Sequence, residues 1–238
     1  MASQFTVGDI TINVTLKDIK NIHLSVRPPT GEVRLSAPRR VSRAALRAFA
    51  VSRVAWIRRQ QRKLCAQDRE TARSYITGES HYVWGQRCLL TVEERRGVPV
   101  VEQQHTRLRM QVRPGADVAR RQVILEAWYR TQLKQAVPSL LKKWQAKMGV
   151  MVTQWYVRRM KTKWGSCNYR AGTIRLNTEL AKKPRECLEY VVVHELVHLL
   201  EPSHNDRFWA LMDRYLPKWQ FHRNTLNSQP LSHDRWTY

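Results

Sequence analysis

The strongest constraint on how this chain can fold lies near its C-terminal end, in the run Tyr190–Leu200, YVVVHELVHLL. Val191, Val192, Val193, Leu196, Val197, Leu199 and Leu200 leave almost no polar face, so a helix here must be buried among other elements. Set into it are His194, Glu195 and His198. Residues i and i+4 of a helix lie one turn apart on nearly the same face, so two imidazoles can be aimed at one metal ion. Pro202 closes the helix. His204 follows just past the break, where a bend can return it as a third protein ligand and leave a fourth position open. Three neutral imidazoles with an open position are what a catalytic zinc site requires, and zinc lowers the pKa of bound water to about 7. Glu195, beside the first ligand, can then serve as the general base of a metal-assisted hydrolysis. Another divalent ion fits the same donors, because ligand identity does not fix the metal.

Charge adds a second constraint. Lys+Arg 42 against Asp+Glu 19 give a formal net charge of +23, shared by both halves of the 238 residues and not gathered in a tail. Such a balance points to a polyanionic partner or substrate, DNA, RNA, nucleotides or an acidic surface, against the blander reading of a solvated basic exterior. An apolar fraction of 42% with nine Trp excludes a disordered or fibrous chain. Cys65, Cys88, Cys167 and Cys187 contain no C-x-x-C pair, so neither a zinc knuckle nor a disulfide framework is expected. Free thiols suit a reducing compartment. MASQFTVGDI has no apolar signal core and uninterrupted aliphatic runs are as short as Val191–Val193, so the expectation is a cytoplasmic protein with no membrane span.

Along the chain the apolar period changes. Residues 5–37 alternate polar and apolar with turn residues at Pro28, Pro29 and Gly31, predicting an antiparallel meander. Ser42 caps a predicted helix running to about Arg73, basic through Arg43, Arg47, Arg53, Arg58, Arg59, Arg62 and Lys63 and able to lie on nucleic acid. Period-two alternation returns from Tyr75 to about Arg113, and residues 117–147 read as a helix that Pro138 kinks or divides. A strand at 152–161, a loop at 162–172, a strand at 173–177 and helices at 185–201 and 205–215 complete the reading. No internal repeat is evident. Strands in runs and helices in runs make the class α+β, with a β-rich N-terminal part over 1–116 and a metal-dependent hydrolase domain over 117–238.

The run KTKWGSC (Lys161–Cys167), the segment TIRLN (Thr173–Asn177) and YVVVHELVHLLEPSHNDRFW (Tyr190–Trp209) resemble the YgjP-like metallopeptidase family, related to the SprT-like zincins. Leu35–Pro38, Trp56-Ile57 and Trp84-Gly85 resemble it too, so the likeness spans most of the chain. It implies a zincin-like catalytic domain, with His194, His198 and His204 as ligands of one Zn2+ and Glu195 as the catalytic glutamate. It also implies a cytoplasmic zinc metallopeptidase. Lys163 stands where arginine is commoner in the family and Val197 where a small residue or Cys is usual; neither touches the chemistry.

Around the metal motif, the hairpin Val152–Asn177 is expected to wall the cleft, with Thr173–Asn177 as an edge strand that binds an extended peptide by β-augmentation. Lys161, Lys163, Trp164, Arg175 and Asn177 are the substrate-binding candidates. Gly165 makes a tight loop possible, and Ser166 and Cys167 shape it rather than act as nucleophiles. Arg158, Arg159 and Arg170 join Lys161, Lys163 and Arg175 in a basic rim able to hold phosphates. His222 and Arg223 are weaker candidates for stabilising an oxyanion. Three functions follow: a zinc-dependent peptidase, acting on protein associated with nucleic acid; a nucleoside triphosphate pyrophosphohydrolase using the same metal with the rim as clamp; and a nucleic-acid-binding module with a structural metal.

Overall fold

A computed structural model describes residues 2–27, 31–66, 73–160 and 163–228. Its contacts divide the chain into two compact units, one within residues 1–70 and the other within 71–232.

The first unit begins with β1 (Ala2–Val7) and β2 (Ile10–Lys17), an antiparallel pair, followed by β3 (His23–Arg27) and β4 (Glu32–Pro38), another. The two hairpins join through β2 and β4, which run parallel, so the order is β1-β2-β4-β3 and not the expected antiparallel meander. Alternation fixes which face of a strand is buried but says nothing of its partner, which is why the pattern misled. Ile10, Ile12 and Val14 of β2 and Val33, Leu35 and Ala37 of β4 are buried with Leu46, Ala50 and Ile57 from the helices that follow. The single helix expected from Ser42 is two, α1 (Arg43–Ser52) and α2 (Val54–Ala66), broken at Arg53. Ser42 is the N-cap, its hydroxyl accepting from the Ala45 N–H. The end of the expected helix, 67–73, reaches residues outside those described.

The second unit repeats that strand order. β5 (Ser80–Val83) pairs with β6 (Gln86–Glu94), β7 (Val100–Gln104) pairs with β8 (Arg107–Val112), and β6 and β8 run parallel, giving β5-β6-β8-β7. This sheet was expected to belong with the N-terminal strands, in a part ending at 116. Instead Val83, Leu90, Leu108, Met110 and Val112 share one core with the helices of the second unit. The long helix α3 (Val118–Met148) runs unbroken through Pro138. Proline removes one hydrogen bond there, while Leu133, Val137, Leu141 and Trp144 bury the turns on both sides and hold them in line.

Next come β9 (Gln154–Arg158), β10 (Gly165–Asn168) and β11 (Thr173–Asn177). Their order is β10-β11-β9, with β10 antiparallel and β9 parallel to β11. Two expectations are corrected here. Thr173–Asn177 is the central strand, flanked on both sides, and the edge belongs to β10, in a stretch read as loop because GSCN lacks an apolar alternation. A 3-10 turn, Thr178–Lys182, leads into α4 (Arg185–Val197), then α5 (Asp206–Tyr215) and α6 (Trp219–Ser228). The β5–β6 turn braces the approach to α4. The backbone N–H groups of Trp84 and Gly85 donate to Ala181 O at 2.8 Å and Lys182 O at 3.2 Å. A Cβ on Gly85 would lie 2.9 Å from the Pro184 ring. No helix among the described residues is long and apolar enough to cross a membrane.

Candidate metal centre

Helix α4 is buried on nearly every side: Cys187, Leu188, Val191, Val192, Val193, Leu196 and Val197 are all in the core. It ends sooner than the sequence suggested, at Val197, with His198 as C-cap and a tightened turn in which Leu199, Leu200 and Glu201 donate to Leu196 and Val197 carbonyls. This turn, with Pro202 after it, brings His204 back over the helix end. Asn205 then caps α5 by accepting from the Phe208 N–H.

The ligand atoms of His194, His198 and His204 all lie within 4.8 Å of one another. His194 Nε2 and His204 Nε2 are 3.0 Å apart. Beneath them sits Phe208, fully buried, with its ring centroid 4.9, 4.7 and 4.6 Å from those of His194, His198 and His204. Trp209 stacks on His204 at an interplanar angle of 19°, and Trp219 stacks on Trp209 at 17°. Arg223 lies 5.8 Å from the Trp209 ring and 5.9 Å from that of Trp219, closing the stack. His198 Nδ1 faces Glu201 O at 3.3 Å; protonated, it donates there and leaves Nε2 with a free lone pair.

Burial sets the charge state. It pulls the His194 pKa down to about 3, helped by His198, His204 and Arg223, and it lowers His198 and His204 in the same direction. Three neutral imidazoles whose nitrogens converge this closely are lone-pair donors facing one another, an arrangement that a divalent cation satisfies. The donor set therefore fits a metal of the zinc type.

Glu195 is only 4% exposed, and burial pushes its carboxyl up to about 8, with Lys163 acting weakly against the shift. Gly165 of β10 is pressed against it: a Cβ there would stand 2.5 Å from Glu195 Oε1 and 2.9 Å from Cδ. Cys167, two residues on, faces the same space. Burial, then the Glu195 charge, pushes its thiol up to about 12, which leaves it a poor nucleophile. The cavity joining these groups measures about 520 Å³ and takes in the three histidines, Glu195 and the whole strand stretch Gly165–Cys167.

The other sequence candidates part company here. Lys163 and Trp164 line the cavity. Asn177 does not: it is 4% exposed and clamps the preceding loop, donating to Met160 O and Lys163 O at 2.8 Å each and accepting from the Met160 and Glu179 N–H groups. Arg175 is exposed on the sheet face opposite the buried Ile174 and Leu176, turned away from the helix side. Both were misjudged because proximity to the motif in sequence carries no information on strand face. Lys161 lies outside the described residues. Tyr190, which also lines the cavity, was missed. Its position one turn before His194 was the signal for it, by the same i, i+4 rule that found His198. Arg223 stacks against the tryptophans and is not among the cavity-lining residues.

The family model described as YgjP-like, metallopeptidase domain, matches residues 20–229. Among solved structures, the metallopeptidase zymogen of Pyrococcus abyssi abylysin aligns at 20% identity and a TM-score of 0.37, over 40% of this chain and 98% of its own. The zymogen of Methanocaldococcus jannaschii jannalysin aligns at 22% identity and a TM-score of 0.32, over 40% of this chain and 92% of its own. No curated protein matches.

Proposed function

The chain belongs to the YgjP-like metallopeptidase family and is a metallohydrolase; from that premise we propose a zinc-dependent peptidase that cuts extended protein segments laid along β10. His194, His198 and His204 hold the metal, and Glu195 is the general base. One observation carries the reading: three converging neutral imidazoles, a buried carboxyl and an open strand edge share a single cavity. A divalent ion bound there supplies Lewis acidity and makes water acidic enough to ionise near neutral pH. The chain's own residues supply the rest. Glu195 takes the proton of the attacking water at its carboxylate and delivers it to the departing amine. Phe208 keeps water from behind the imidazoles, and the Glu201 carbonyl holds His198 in one tautomer. Among the described residues β10 pairs only with β11, so its other edge offers free N–H and C=O groups to an extended peptide.

The pyrophosphohydrolase reading loses support. Of the basic rim expected to clamp phosphates, Lys163 alone among the described members lines the cavity, while Arg158 and Arg175 are exposed on the outer face and Arg159 pairs with Glu126 at 2.6 Å. A polyanionic partner remains part of the proposal through the charge of +23, with the basic helices α1 and α2 as one contact surface. The test is mass spectrometry of products from zinc-loaded protein given an unfolded protein or nucleoside triphosphates. Peptides that vanish with Glu195→Ala, in a variant that keeps its zinc, are expected. Glu195-dependent nucleoside monophosphate and pyrophosphate would overturn the peptidase. His198→Ala should lose zinc by elemental analysis while remaining folded; full stoichiometric zinc would refute the ligand set.

A further inference from the structure

From Ala127 to Thr178 the chain contains no Asp or Glu, while the same stretch carries eleven Lys and Arg. That stretch includes all of β9, β10 and β11. Their inner faces are buried through Val157, Ile174 and Leu176. Their outer face bears Tyr156 and Arg158 from β9, Arg175 from β11 and Ser166 from β10. The register sets Tyr156 directly beside Arg175, and Arg175 directly beside Ser166, in one row across the sheet. Tyr156 is 38% exposed, its hydroxyl hydrogen-bonded to Gln154 Oε1, and the Arg158 guanidinium stands 5.8 Å from its ring centroid. Neither Arg158 nor Arg175 has a carboxylate partner among the described residues. A second pairing of the same kind, Tyr169 with Arg170 at 5.8 Å, stands at the turn between β10 and β11, and Tyr169 lines the cavity.

Aromatic rings that are flanked by unpaired guanidinium groups on an open sheet offer both things a single strand presents: the π face of an unstacked base and the phosphate beside it. A duplex hides its base faces and fits the row only through its phosphates. We propose that the outer face of the β9–β11–β10 sheet binds single-stranded nucleic acid, with a base on Tyr156 and phosphates on Arg158 and Arg175. The proposal deepens the polyanion part of the reading above and is independent of which bond is cut. Because β10 of this sheet also lines the cavity, a strand bound here brings any protein attached to it next to β10.

The experiment uses full-length, zinc-loaded protein and fluorescence anisotropy, with a labelled twelve-nucleotide thymidine strand and a labelled hairpin duplex. Titrations run between roughly 50 and 200 mM salt. The single strand should bind more tightly than the duplex. Tyr156→Ala should weaken single-strand binding about tenfold and leave the salt slope in place, with Tyr156→Phe restoring it. Arg158→Gln with Arg175→Gln should lower the slope by about one and a half, as expected for two lost phosphate contacts. Thermal unfolding of each variant separates loss of binding from loss of fold. Equal affinity for strand and duplex, or unchanged binding in the Tyr156 and arginine variants, overturns the proposal. Loss of binding only in an Arg58→Glu, Arg59→Glu, Arg62→Glu variant overturns it too, while leaving a nucleic-acid partner in place on α2. No binding of either probe at the lowest salt removes both, and leaves the peptidase reading untouched.

Discussion

Gly165 and Glu195 meet at van der Waals distance or less for any larger side chain, and this contact joins a strand to a helix thirty positions away. Gly165→Ala has no room unless the carboxyl moves, so turnover on a fluorogenic peptide should fall by a factor on the order of a hundred while zinc stoichiometry is unchanged. Retained turnover would mean that Glu195 acts from another position. His81 gives a second residue-scale expectation. It is 3% exposed, and burial, with Arg73 and Lys182, pulls its pKa from 6.5 to about 3 despite a Glu79 oxygen at 3.7 Å. The unfolded chain therefore takes up a proton that the fold refuses. Stability from this residue is complete above about pH 6.5 and drains away as pH falls towards 3. His81→Leu should flatten the pH dependence of the thermal midpoint in that window; an identical slope would deny the burial effect. At this scale the convergence of His194, His198 and His204 was legible because it follows from helical spacing and the break after Pro202. Gly165, Arg175 and Asn177 were not, since their roles depend on which strand face meets which helix.

At the scale of elements, α3 carries the clearest consequence. Pro138 sits in the interior of a continuous helix and leaves the Lys134 carbonyl without its usual intrahelical donor. Pro138→Ala should raise stability by about 1–3 kcal/mol, a few degrees in the thermal midpoint. An unchanged or lower midpoint would show that packing around Leu133, Val137 and Leu141 uses the proline's shape. Helix starts were read well where a cap or a proline marks them, as with Ser42 before α1 and Pro184 before α4, whereas α4 stops four residues short of the end expected from Pro202. The break at Arg53 was not read, because its neighbours Val51, Val54 and Ile57 keep up an apolar pattern across it. Strand β10 was missed for the opposite reason: it is held by backbone pairing to β11 and by its contact with α4, neither of which requires apolar side chains.

For the molecule as a whole, the two units have separate cores, one built around Ile12 and Leu35 and the other around Leu125, Leu133 and Phe208. All three histidines belong to the second. Ligand that binds only a folded state raises that state's stability by mass action, so zinc should raise one unfolding transition and leave the other where it was. Calorimetry with and without a chelator checks this; equal shifts of both transitions would join the units thermodynamically. The boundary expected at 116 failed because alternation announces that a sheet has a buried face and not which helices bury it.

Both four-stranded sheets are the same device used twice, two hairpins fused through a parallel central pair. In the first, Ile12 and Val14 lie beside Val33 and Leu35; in the second, Leu90 and Val92 lie beside Leu108 and Met110. The second copy is braced against the start of α4, through the Trp84-Gly85 turn. Residues of the second copy answer to the site they buttress as well as to their core, whereas the first copy answers to a core of its own. Lineages descended from one ancestor should record this as two unequal rates of change along a single gene.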